Sequence, residues 1–162
     1  MNKATNWFKK IDFPMYKEVS EFTLNYCNSA KVEEWVYEPW QAPGTRSLFI
    51  DMPDELHNKI KNTVNLPLHK DWYLWDFMDA KELLIHKDTN SSGNYRPAAF
   101  IITIEGSFQN NVYADDDLVN PIDSVVYGTG DSLLLYNSKY YHGGTVLSST
   151  RKTISCWVEK YD

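Results

Sequence analysis

From residue 72 onward the chain alternates short apolar runs with turn-forming residues, and this spacing restricts the fold more than any other feature. The runs are WYLW, ELLIHKD, AAFIITI, NNVYA, DSVVYG, DSLLLY and KTISCWV, separated by breaks such as Ser91-Ser92-Gly93-Asn94, Asn120-Pro121, Gly128-Thr129-Gly130 and Gly143-Gly144. Seven such strands in about 90 residues leave no room for crossover helices, so they predict a two-sheet sandwich or small barrel. Ahead of them, residues 16–31 (YKEVSEFTLNYCNSAK) and 53–64 (PDELHNKIKNTV) read as helices. The second has Asp51 as a cap and Pro53 in its first turn, where a missing N–H costs little. Runs such as AAFIITI are apolar on both faces, which predicts that one face lines the interior and the helices cover the other. The expectation is one domain over 1–162, mainly β, with residues 1–70 as helical support and 71–160 as the core.

Charge and cysteine content narrow the function classes. The net charge is −6 and no basic stripe is visible, so binding that depends on neutralising phosphates, and with it a nucleic-acid partner, is disfavoured. The run Asp115-Asp116-Asp117 lacks the acid and glycine spacing of a calcium loop and reads as a solvated turn. Cys27 and Cys156 do not make a disulfide framework and are expected reduced and buried. No apolar run is long enough for a membrane helix and the start lacks a signal-peptide core, so a soluble, cytoplasmic protein is expected. The oligomeric state stays open.

Four histidines are available. His-Lys-Asp occurs twice, at His69–Asp71 and His86–Asp88, and in a strand residues i and i+2 leave the same face, so either pair can converge on an ion. A His-x-acid triplet is expected about 0.5 times by chance here, so a third ligand has to decide. His57 falls at a polar position of a helical candidate and reads as a surface residue. His142 follows the strand DSLLLY and precedes two glycines, a strand end of the kind where sites on β scaffolds lie. From Asp88 to His142 there is room for four short strands, enough to bring the two ends back together. The KELLI run leading into His86 is also better strand context. His86, Asp88 and His142 are therefore the expected set, with His69 and Asp71 a loop pair. Two imidazoles and one carboxylate with open positions form the facial triad of non-haem Fe(II) oxygenases.

The segments IHKD, GDSLLLYNSKYYHGG and RKTISCWV together resemble the Fe(II)/2-oxoglutarate-dependent dioxygenase superfamily, and within it the prolyl-4-hydroxylase-like branch. The shared pattern is H-x-D, a distal His after an apolar strand, then Arg nine residues on in a strand carrying Trp, and it spans residues 72–160. The resemblance implies a double-stranded β-helix, or jelly roll, and Fe(II), 2-oxoglutarate and O2 as cofactor and cosubstrates. It also implies hydroxylation of a C–H bond, coupled to decarboxylation of 2-oxoglutarate to succinate, with no catalytic residues beyond the metal ligands. Arg151 would bind the far carboxylate of 2-oxoglutarate, with Thr153 adding a hydroxyl and Trp157 and Tyr136 walling the pocket. Thr103 stands where this branch often carries a Tyr that touches the cosubstrate, so it is either a contact or an ordinary strand residue. The alternative for Arg151 is an exposed strand charge. Tyr140 and Tyr141 crowd the approach to His142. The substrate reading is a protein side chain, with proline included, or a small amino-acid-like molecule. Rival readings are a cupin-like metal-binding β-sandwich without oxygenase activity and a nucleic-acid dealkylase of the same superfamily.

Overall fold

Alternating burial along the strands sorts them into two antiparallel sheets. The computed structural model describes residues 7–37, 39–40, 42–88, 98–136 and 139–159. Its elements are β1 (Phe8–Ile11), α1 (Tyr16–Ser29), β2 (Trp35–Tyr37), β3 (Arg46–Ile50), α2 (Asp54–Val64), β4 (Leu68–Asp76) and β5 (Glu82–His86), followed by β6 (Ala98–Glu105), β7 (Ser107–Tyr113), β8 (Asp123–Gly128), β9 (Ser132–Leu135), β10 (Tyr141–Val146) and β11 (Lys152–Val158). A seven-stranded sheet runs β1-β9-β6-β11-β4-β3-β2 and faces a four-stranded sheet ordered β5-β10-β7-β8. This is the mainly β, two-sheet core with helices outside that the run spacing predicts.

The central strands β6 and β9 of the large sheet feed two apolar layers. Phe100, Ile102, Leu134, Ile154, Cys156 and Val158 turn outward and pack under α1 and α2 with Val19 and Ile60. Leu133 and Leu135 turn inward, where they meet Phe108, Val112, Tyr127 and Val146 of the small sheet. Burying both faces is why β6 and β9 carry few polar residues.

The N-terminal part does more than support. β1 pairs with β9 at one end of the large sheet, and β2 and β3 extend the other end beyond β4. These three short strands lack the spaced repetition of the later ones and are not evident as strands in the sequence. At α2 the residue flanking the helix is Pro53, with no side-chain cap, so Asp51 does not play that part. Asn65 ends the same helix in the left-handed conformation. His57 is not a surface residue: it is buried, and its Nδ1 accepts a 3.0 Å hydrogen bond from the Trp72 indole, which needs a polar partner inside the outer apolar layer. His69 and Asp71 lie within β4 rather than in a loop, half-exposed, with Nδ1 3.7 Å from Oδ2. Gly143-Gly144 is likewise inside β10 and not a turn. The Ser91–Asn94 turn lies outside the described residues. Asp117 does form a solvated turn, accepting from the backbone of Val119 and Asn120, and both cysteines are free. Among the described residues no helix is long and apolar enough to cross a membrane.

Candidate metal and cosubstrate site

Strand register builds the site. Four strands, β6 to β9, separate β5 from β10, yet the two pair directly and place His142 opposite His86. Their rings lie 4.3 Å apart between centroids. Asp88, two residues past His86 and just beyond the strand end, returns to the same side. Its Oδ1 is 3.0 Å from His86 Nε2 and 3.4 Å from His142 Nε2. The ligand atoms of the three residues lie within 4.8 Å of one another. No histidine beyond these two joins the cluster among the described residues, and His69–Asp71 has no third partner in it.

The surrounding backbone sets the state of this cluster. His86 Nδ1 lies 2.7 Å from the Leu84 carbonyl and His142 Nδ1 lies 3.2 Å from the Tyr140 carbonyl. A carbonyl only accepts, so each Nδ1 carries hydrogen and turns its Nε2 to the Asp88 carboxylate, where Nε2 can either donate to the carboxylate or offer a lone pair to a cation. Burial would raise the Asp88 carboxyl, but the hydrogen bonds to His142 and His86 outweigh it and hold the group well below the usual carboxylate range. Two nitrogens and one carboxylate oxygen, all from one side, fit a divalent transition metal with open positions.

The cavity beside these ligands measures about 430 Å³ and holds the second charged feature. Arg151 precedes β11, is only 4% exposed, and forms no ion pair among the described residues. Phe108 and Phe77 stack on the guanidinium at 3.8 and 4.5 Å from their ring centroids, and Nη2 donates to the Tyr127 hydroxyl at 3.2 Å. Its Nε has no partner. Burial pushes the Arg151 pKa down, but a guanidinium starts so high that it stays charged. A buried, unpaired cation opening on a cavity suits an anionic ligand.

The β11 alternation puts Thr153, Ser155 and Trp157 on the cavity wall with Arg151. Two expected residues are placed elsewhere. Tyr136 does not wall the cavity; its backbone N–H bonds Trp7 and its ring packs on the helix-side layer. Thr103 is the cross-strand partner of Thr153 but does not line the cavity, and its buried Oγ1 has no partner. Tyr127, Asn110 and Trp40 were missed. Tyr127 and Asn110 sit at inward positions of alternating strands, a signal that gives the face but not what it meets. Trp40 lies on the β2–β3 connection, with its ring edge on His86 at 5.8 Å, and no local pattern marks it.

No protein-family model matches the sequence, and no curated protein does. Solved structures match along nearly its whole length. A Pseudomonas putida prolyl-4-hydroxylase aligns with a TM-score of 0.65 and 13% identity, covering 98% of this chain and 95% of that one. OsALKBH1 aligns at 0.71 with 8% identity, covering 96% and 100%. The collagen prolyl hydroxylase of Paramecium Bursaria Chlorella virus-1, solved as a 2OG complex, aligns at 0.57 with 12% identity, covering 95% and 96%. At these identities the likeness is one of fold, and it bears out the jelly-roll class that the H-x-D…H…R resemblance implied.

Proposed function

We propose that the chain is an Fe(II)/2-oxoglutarate-dependent dioxygenase that hydroxylates a C–H bond of a polypeptide side chain. The observation that carries this is one cavity holding both a two-histidine, one-carboxylate cluster and a buried guanidinium that lacks a counter-anion among the described residues. The 2OG complex of the viral hydroxylase with the same fold supports it.

His86, Asp88 and His142 would hold Fe(II) on one face, each imidazole fixed by its backbone carbonyl. Bound iron supplies oxygen chemistry that couples decarboxylation of 2-oxoglutarate to succinate with substrate hydroxylation. Arg151 takes the far carboxylate through its fork of donors, and Thr153 adds a hydroxyl. Phe77 and Phe108 keep water from the guanidinium, which strengthens its pull on that carboxylate.

The substrate reading rests on the part of the large sheet that the small sheet leaves bare. Tyr73, Trp75 and Ser47 line the cavity, and beyond them Phe49 and Val36 continue the same face at 48% and 65% exposure. Phe49 packs on Tyr73 at 5.6 Å and Val36 pairs with Ser47, so the apolar shelf is continuous with the cavity. Lys87, a cation on the cavity rim, is tied to Asp115 at 3.1 Å. A shelf on which no described residue presents a free cation favours an extended peptide over a polyanion.

The test is anaerobic addition of Fe(II) and 2-oxoglutarate. Weak visible charge-transfer absorption should appear, then succinate once air is admitted. A cupin-like protein without oxygenase activity would bind metal and give neither signal.

A further inference from the structure

The lysine between the two ligands of the tripeptide reaches across the small sheet. We infer that Lys87 is the positioning residue of the metal carboxylate, a staple whose side chain ties the Asp88 segment to β10 and β7 through Tyr141 and Asp115. This rests on the metal reading of the site and adds a residue to it.

Pairing between β5 and β10 sets His86 opposite His142 and ends there. Asp88 lies two residues beyond the end of β5, so strand register alone does not fix its carboxylate. Lys87 stands between the two ligands. Its Nζ lies 4.7 Å from the centroid of the Tyr141 ring and 3.1 Å from Asp115 Oδ1. Tyr141 opens β10 beside His142 and pairs with Tyr113, the last residue of β7, and Asp115 follows two residues later. One side chain therefore joins the end of β5 to the start of β10 and the exit of β7. The anchor is itself held: Ala114 and Asp117 form a β-bridge, and the Asp117 carboxylate accepts from the N–H groups of Val119 and Asn120. The acidic run at 115–117 thus has two uses, Asp117 shaping the turn and Asp115 receiving Lys87.

Charge alone predicts the opposite sign. Lys87 is a cation close to a site for a divalent cation, and by Coulomb repulsion its removal would tighten metal binding. An exposed ion pair contributes little to global stability, and Asp115 is largely exposed. A loss of metal affinity without a loss of global stability therefore separates positioning from both charge and packing.

The test compares wild type, Lys87→Met, Lys87→Arg, Asp115→Asn and the Lys87→Met/Asp115→Asn double variant. Mn(II) and Co(II) affinities and the visible spectrum of bound Co(II) report on the site. Denaturant midpoints and amide exchange over residues 84–88 report on the metal-free protein. Lys87→Met and Asp115→Asn are expected to weaken both metals about five- to tenfold and to broaden the Co(II) bands. Exchange over 84–88 should quicken several-fold while the denaturant midpoint stays unchanged. Lys87→Arg keeps the charge and the reach and should stay within about twofold of wild type. The double variant should lose no more than Lys87→Met, because both changes remove one contact. Metal affinity unchanged or tightened in Lys87→Met, a Lys87→Arg as weak as Lys87→Met, additive losses in the double variant, unchanged amide exchange, or no metal binding in wild type would each overturn the inference. A wild type that binds metal with the expected dependence on Lys87 but releases no succinate sinks the oxygenase reading and leaves this one standing.

Discussion

Single side chains set the strongest tests. Asp88→Ala removes the carboxylate that both imidazoles face, and Fe(II) binding should fall by at least about 100-fold when followed by anaerobic titration, because a three-ligand face loses its only anion. His69→Ala should bind iron as wild type does; the opposite result would return the choice to the first tripeptide. Arg151→Ala should weaken 2-oxoglutarate by about 2 to 5 kcal/mol, since it leaves a buried carboxylate without its partner. His57 gives a pH signature. Burial lowers its pKa below the ordinary 6.5, so the unfolded chain binds the proton more readily. The stability this histidine contributes is present above pH 6.5 and is lost as pH falls through the folded value. Denaturant titrations should show His57→Gln less dependent on pH below about 6.5 than wild type. Reading His57 as a surface residue failed because helical position alone does not reveal that Trp72 lies underneath with an indole N–H to satisfy.

Among elements, β10 is the most constrained. A Cβ at Gly144 would stand 2.1 Å from the Gln109 carbonyl oxygen and 2.5 Å from the Phe108 ring, and that ring stacks on Arg151. Gly144→Ala should therefore cost about 3 kcal/mol of stability in chemical denaturation and loosen 2-oxoglutarate binding too. The same element shows what could be read from sequence. Strand parity in AAFIITI and RKTISCWV gave the inward and outward faces correctly, because successive side chains of a strand leave opposite faces even where both are buried. The pairing of His142 with His86 was reachable by counting four intervening strands. Tyr136 follows the parity of Leu134 onto the helix-side layer, which counting along β9 gives, whereas Thr103 shares the inward face of Thr153 and parity alone does not tell whether it reaches the cavity. β1, β2 and β3 were not legible, since strands of three to five residues carry too few alternations to distinguish them from loops.

At the scale of the molecule, the sheets differ in width, seven strands against four. The bare portion is bordered by Trp40, 71% exposed at the cavity rim, and by the edge strand β2. Phe49→Ala should raise KM for a polypeptide substrate several-fold in succinate-release assays and leave substrate-free turnover of 2-oxoglutarate unchanged, because Phe49 packs on Tyr73 and lies outside the cavity lining. A site roofed on every side can admit only what fits down a shaft or what offers a free terminus. Among the described residues the small sheet leaves the β4–β3–β2 flank uncovered, a shape that suits a loop laid in from the side rather than a chain end threaded inward.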